Sequence, residues 1–243
     1  NLEKIWTKEL IHGGKNLVYV RMRMKIQYKD QRFQEDAAKA VVDVFAGQPY
    51  ASNSYKMDPG KVMQGLEFTG WNNNPIIQEL TDPKILYRIN EIQRKNQLKP
   101  DDHLFGRYNL TIEMETGVGK TFTYIKTMYE LNKAYGWCKF IVVVPSIAIR
   151  EGVYKTFQTT EDYFALKYQK KIRFFIYNST RLTDIEHFAS DSSINVMIIN
   201  SQAFNATGKD ARRIYMKLDE FRSRRPIDVI AKTNPILIID GPN

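Results

Sequence analysis

Apolar residues change their period along the second half of the chain. Asn109-Leu110-Thr111-Ile112-Glu113 alternates apolar and polar, which predicts a strand. Thr121 to Leu131 then carries apolar residues at helical spacing. Phe140-Ile141-Val142-Val143-Val144 is a continuous apolar run closed by Pro145, the pattern of a strand buried on both faces. Ile147–Phe157 returns to helical spacing, Ile172–Tyr177 predicts another strand, and Asn195–Ile199 a further buried one. Between these last two, Thr183 with Glu186 predicts a capping box at a helix start. Asp210–Arg225 predicts a strongly charged helix stopped by Pro226, and Pro235–Ile239 predicts a strand that ends in Asp240. Strands alternating with helices predict an α/β fold, a mostly parallel sheet with helices on both faces.

The first half is less regular. Arg32–Phe45 predicts an amphipathic helix. Residues 46–106 are rich in Gly, Pro, Asn and Asp and carry one predicted helix, Pro83–Leu98. Their first half is too polar to build a core, so they are expected to be an insertion packed on the α/β unit. Residues 1–23 match no part of the alternation and are expected to be a leader or appendage, a β-hairpin turning around His12-Gly13-Gly14-Lys15, with the main domain over 24–243.

Composition narrows the classes. A hydrophobic content of 43% fills a core and excludes a disordered tail. No run approaches the roughly 18 uninterrupted apolar residues of a membrane span, and Asn1–Leu10 mixes charge with apolar residues, unlike a secretory signal. The single Cys138 excludes an internal disulfide framework, fits a reducing compartment and is expected to pack in the core. The net charge of +9 favours anionic partners, nucleic acid first. The scattered His12, His103 and His187 have no metal-ligand spacing.

Candidate chemistry sits between the first predicted strand and helix of the alternation. Met114-Glu115-Thr116-Gly117-Val118-Gly119-Lys120-Thr121 is a glycine turn opening a helix, the context of a phosphate-binding loop. The glycines let main-chain N–H groups wrap an anion, and the helix adds its positive N-terminal end. Lys120 is placed to reach the β- and γ-phosphates and the Thr121 hydroxyl to ligate Mg²⁺. The strict pattern has Gly where Met114 stands. Asp240, about 120 residues after Lys120 at the end of an apolar strand, is the expected second anchor for Mg²⁺. In motor ATPases the next residue is usually a Glu that polarises the attacking water. Here it is Gly241, which can neither accept a proton nor orient a water.

Several blocks together resemble one family. Glu113–Thr121, Glu130-Leu131-Asn132-Lys133-Ala134-Tyr135-Gly136, Val143–Val153 and Asn200-Ser201-Gln202-Ala203-Phe204-Asn205 are similar to the restriction subunit of type III restriction–modification enzymes. That family is a superfamily 2 helicase-like ATPase. The resemblance covers most of the chain from about Met24 and implies the first of two RecA-like motor domains. Met114 then fits, since Ala or Met often takes that position in the family. The resemblance further implies an ATP-dependent, cytoplasmic, site-specific deoxyribonuclease that acts on double-stranded DNA with a separate methylation and specificity subunit. Thr116, Gly117, Val118, Gly119, Lys120 and Thr121 are implied to bind ATP, with Gln34 reading the adenine. Thr121 and Asp240 are implied to hold Mg²⁺, with Lys120 and Asp240 as catalytic residues. Pro145, Ser146 and Arg150 are implied to meet the DNA backbone, with Ser201 and Gln202 as a second strand contact.

The family's second ATPase motif has Asp-Glu-Pro followed by Gln or His, where this chain has Asp240-Gly241-Pro242-Asn243. The second motor domain with its arginine finger, and the nuclease, are expected outside this sequence. The chain alone is therefore expected to be deficient in hydrolysis. Another superfamily 2 helicase or translocase, and a non-catalytic nucleotide- and DNA-binding module, are the alternatives.

Overall fold

Val142 lies at the middle of a parallel sheet that carries both halves of the core. The computed structural model describes residues 2–13, 17–51, 54–56, 70–205 and 213–241; the side chains of residues 2–13, 17–27 and 54–56 lie outside that description. The elements run β1 (Leu2–Gly13), β2 (Leu17–Tyr28), α1 (Arg32–Val44), β3 (Ser54–Lys56), β4 (Gly70–Asn72), α2 (Asp82–Lys95), α3 (Lys120–Tyr135) and β5 (Lys139–Val144). They continue with α4 (Ile147–Tyr168), β6 (Ile172–Ile176), α5 (Thr183–Ser190), β7 (Ile194–Asn200), α6 (Pro226–Lys232) and β8 (Ile236–Ile239). Among the described residues the main sheet has four strands in the order β6-β7-β5-β8, all parallel.

Period two divides the core. Phe140, Val142 and Val144 of β5, with Ile194, Val196 and Ile198 of β7, pack with Phe122, Ile125 and Met128 of α3 and with Val153, Phe157 and Phe164 of α4. The intervening Ile141, Met197 and Ile199 pack on the opposite face with Ile185 and Phe188 of α5 and Val229 and Ile230 of α6. A run buried on both faces has little room for polar positions, which is why Phe140–Val144 of β5 and Val196–Ile199 of β7 are continuous apolar segments. Cys138 is buried in the first cluster.

Lys139 is the exception inside β5. It is fully buried, and its ammonium donates to the carbonyls of Phe188 and Asp191 at the C-terminal end of α5. Burial pushes its pKa below the usual lysine value. Residues between β4 and α2 are tied to the same strand. The Asn73 carboxamide oxygen accepts from the N–H groups of Cys138 and Lys139 at 2.7 and 2.9 Å, and its nitrogen donates to the Lys139 carbonyl at 2.8 Å.

Several sequence expectations are corrected. Residues 109–113 join no ladder, and Ile112 is 46% exposed. Alternation states which residues share a face but not which strand edge supplies hydrogen bonds. Among the described residues β8 pairs with β5 alone and leaves Leu237 and Ile239 exposed. The charged helix over 210–225 is absent from its described part. Arg213–Tyr215 and Asp219–Phe221 form short 3-10 turns, Leu218 bridges Arg224, and Pro226 starts α6 rather than ending a helix. Proline suits a first helical turn, where its missing N–H is not needed. Thr183 makes no capping hydrogen bond, and Glu186 pairs with Arg224 at 2.6 Å. Helix α4 runs on to Tyr168, because Val153, Phe157, Thr160 and Phe164 keep one buried stripe well past Phe157.

At the N-terminus β1 and β2 form an antiparallel hairpin, and β2 continues through Met24 to Tyr28. The turn residues 14–16, residues 210–212, Pro242 and Asn243 lie outside the described residues. Among the described residues no helix is long and apolar enough to cross a membrane.

Candidate nucleotide site and strand-end cavity

The glycine turn is built from two left-handed residues. Gly117 has φ 80° and Gly119 has φ 89°, a region costly for residues with a Cβ. Gly119 is the N-cap of α3, and its carbonyl accepts from the Thr123 N–H at 3.0 Å and the Thr123 hydroxyl at 3.1 Å. Thr116, Gly117 and Val118 thus sit directly before a 16-residue helix that begins with Lys120 and Thr121. First-turn N–H groups of such a helix have no partner within the helix and point toward an incoming anion.

Gln34 comes to this loop from α1. It is buried, and its carboxamide nitrogen donates to the Val118 carbonyl at 2.9 Å. A Cβ on Gly119 would sit 2.8 Å from that nitrogen, so the glycine also makes room for Gln34. A charged cluster fixes α1 against α3. The Lys126 ammonium, its side chain 4% exposed, meets Asp30 at 3.0 Å and Glu35 at 3.2 Å. Lys167 of α4 meets the other Asp30 oxygen at 2.6 Å, and the Tyr163 hydroxyl donates to Asp30 at 2.7 Å. Burial alone would raise the Asp30 pKa, but the hydrogen bonds from Lys167, Tyr163 and Lys126 hold it far below the usual carboxylate range.

Asp240 is brought to the same place from the far end of the chain. Its N–H donates to the Val143 carbonyl at 2.9 Å, which extends the β5–β8 ladder by one residue and sets its backbone. Its carboxylate accepts from the Tyr124 hydroxyl at 3.2 Å. Tyr124 stands one turn after Thr121 on α3. Burial pushes the Tyr124 pKa well above the ordinary tyrosine value; the neighbouring Thr121 side chain acts the other way, and the Asp240 charge adds to the rise. One hydroxyl and one carboxylate beside a phosphate cradle suit Mg²⁺, which keeps several waters and takes few protein ligands.

The expected DNA contacts lie at other strand ends. Pro145 and Ser146 follow β5; Ser146 is the N-cap of α4, and its hydroxyl accepts from the Ile149 N–H at 3.3 Å. Arg150 on the first turns of α4 pairs with Glu151 at 2.9 Å. Ser201 and Gln202 follow β7 in a 3-10 turn, with the Gln202 N–H held by the Asn200 side chain at 2.9 Å. Arg150 and Gln202 line one cavity of about 1060 Å³ with Tyr154, Tyr177, Arg181 and Asn200. Pro145, Ser146 and Ser201 are not part of its lining. Arg181 and Tyr177 come from the segment after β6, which carries no motif in the sequence. Tyr124 was also missed; its one available signal is its spacing of three from Thr121.

A parallel sheet whose strand ends gather a glycine turn, a helix N-terminus and an acid defines a P-loop, helicase-like α/β domain. A profile of the family "Type III restriction enzyme, res subunit" matches residues 76–240. The chain belongs to that family. It is 27% identical over 200 residues to the Res subunit of the type III restriction-modification enzyme EcoP15I of Escherichia coli, covering 70% of this chain and 20% of the relative. It is 26% identical over 192 residues to the EcoPI Res subunit of Escherichia phage P1, covering 70% and 19%. With the StyLTI Res subunit of Salmonella typhimurium it shares 30% over 160 residues, covering 56% and 15%. The chain spans about a fifth of the length of the first of these curated relatives.

Proposed function

We propose that this chain is the ATP-binding first motor domain of a type III restriction subunit. Thr116–Gly119 and Lys120 cradle the phosphates, Gln34 faces the adenine side, and Thr121 with Asp240 holds Mg²⁺. Lys120 neutralises charge on the transferred phosphoryl group and Asp240 orients the metal, so both are catalytic residues of the complete site. Coupled to a second motor domain, the site drives movement or signalling along double-stranded DNA before cleavage. Pro145, Ser146, Arg150, Ser201 and Gln202 track the DNA backbone. The methylation and specificity subunit is the partner, and the compartment is the cytoplasm. The observation that carries this reading is the joining of α3, which opens at the glycine turn, to Asp240 through Tyr124.

The test is ATP binding with Mg²⁺ by calorimetry. Lys120→Ala is expected to weaken it by at least about tenfold, the loss of one charge-assisted contact. Unchanged binding would overturn the reading. DNA affinity is expected to be weak, indifferent to sequence and steeply reduced by salt, because it arises from phosphate contacts; a flat salt dependence would count against those residues.

A second reading, a non-catalytic nucleotide- and DNA-binding module, is favoured by Gly241 at the position of the usual base. We propose that the isolated chain turns ATP over very slowly or not at all. DNA-stimulated hydrolysis that vanishes in Lys120→Ala would contradict this.

A further inference from the structure

We propose that Tyr124 is a positioning residue for the metal centre: its phenol holds the carboxylate of Asp240, which the nucleotide reading assigns to Mg²⁺ together with Thr121, one turn earlier on α3. The inference rests on that reading and adds to it a residue that no motif assigns.

The phenol joins α3 to a carboxylate far along the chain. Thr121 and Tyr124 share a face of α3, three residues apart. Asp240 reaches that face from β8, 116 residues beyond Tyr124, and its Oδ2 accepts the phenol at 3.2 Å. The backbone of Asp240 is fixed by the Val143 carbonyl, but its carboxylate can still rotate about the side-chain torsions. The phenol stops that rotation on Oδ2 and leaves Oδ1 outside the bond. Packing holds the phenol in place, since Tyr124 lies against the first core cluster. Outer-shell partners of this kind set the direction of a ligand without touching the ion.

Two roles are possible for a hydroxyl placed so, and they have opposite consequences. A positioning phenol stays on Oδ2 while the metal takes the other oxygen, so its removal weakens metal binding. A competing phenol occupies the oxygen that the metal needs, so its removal tightens metal binding. The contact at Oδ2 favours the first, because the carboxylate has a second oxygen to offer an ion.

The experiment is calorimetry on the full 243-residue chain, with ATP added in excess EDTA and in Mg²⁺, for wild type, Tyr124→Phe, Asp240→Asn and the double variant. Mn²⁺ electron paramagnetic resonance of the ATP complex supplies a readout of the ion itself. Tyr124→Phe is expected to bind metal-free ATP as wild type does and to lose about tenfold of the metal-dependent gain in affinity, the usual scale for an outer-shell partner. In the Asp240→Asn background the Tyr124→Phe effect should disappear, because the phenol acts through that carboxylate. A metal-dependent gain equal to or larger than that of wild type in Tyr124→Phe overturns the proposal. So does an equal loss with and without metal, which would place the phenol's effect on the loop. Wild type that binds ATP without any gain from Mg²⁺ overturns the proposal together with the metal reading, and wild type that binds no ATP overturns the nucleotide reading itself. Near-ultraviolet circular dichroism checks that each variant is folded.

Discussion

Gln34 donates to the main-chain carbonyl of Val118 at 2.9 Å, so a residue of α1 closes a hydrogen bond on a glycine turn 84 positions later. The bond ties the loop's main chain to α1. Gln34→Ala is expected to lower ATP affinity by about fivefold, the scale of one buried hydrogen bond worth about 1 kcal/mol. ADP should be weakened as much as ATP, because the contact is to the loop and not to the terminal phosphate. Nucleotide calorimetry checks this; a loss confined to ATP would place Gln34 elsewhere.

Asp30 links α1 to α3 and α4 through Lys126 and Lys167. Its carboxyl is held below the unfolded value, so between the two pKa values the folded chain binds fewer protons than the unfolded one. Stability is therefore fully present above about pH 4 and declines as pH falls further. Asp30→Asn is expected to remove that part of the acid loss and to cost about 1 kcal/mol at neutral pH, since the carboxylate is 41% exposed and screened by water. Urea unfolding of both proteins at pH 7 and pH 3.5 measures it; parallel losses on acidification would show that other carboxylates carry the effect.

Lys139 closes the C-terminal end of α5 from inside β5. Lys139→Met keeps the stem and removes the charged donor, leaving two buried carbonyls without it. A destabilisation of about 2–3 kcal/mol is expected, measured as a shift of the urea midpoint at constant m-value. A neutral or stabilising outcome would mean that the carbonyls find other donors at little cost.

Gly241 follows Asp240, and a Cβ there would meet no atom within 4 Å, so the first atom of a side chain has room. Gly241→Glu is expected to raise ATP turnover by less than the about 100-fold lower bound usual for a positioned general base. On the proposed reading, a residue from a second motor domain would still be needed to stabilise charge. Steady-state phosphate release checks it; full motor-ATPase rates after this one change would show that no second domain is needed.

Local chemistry in the sequence was enough for the glycine turn, the apolar strands β5 and β7, helix α1 and the acid at the end of β8. Each depends on neighbours along the chain: a positive φ needs glycine, a doubly buried strand needs unbroken apolar residues, and an amphipathic helix needs its own spacing. The same logic failed where a partner from elsewhere sets the outcome. The alternation at 109–113 predicts a strand, but a ladder needs an edge, and among the described residues β8 pairs only with β5. The charges of 210–225 suggest a helix, yet Glu186 takes Arg224 and Leu218 bridges that same residue across a tight turn. Tyr124 is the sharpest case. Along the chain it is one more aromatic residue on a core helix, and only the folding of β8 beside β5 brings the Asp240 carboxylate to its hydroxyl. Pairings between distant residues depend on how faces pack, and residue type at one position carries no record of that packing.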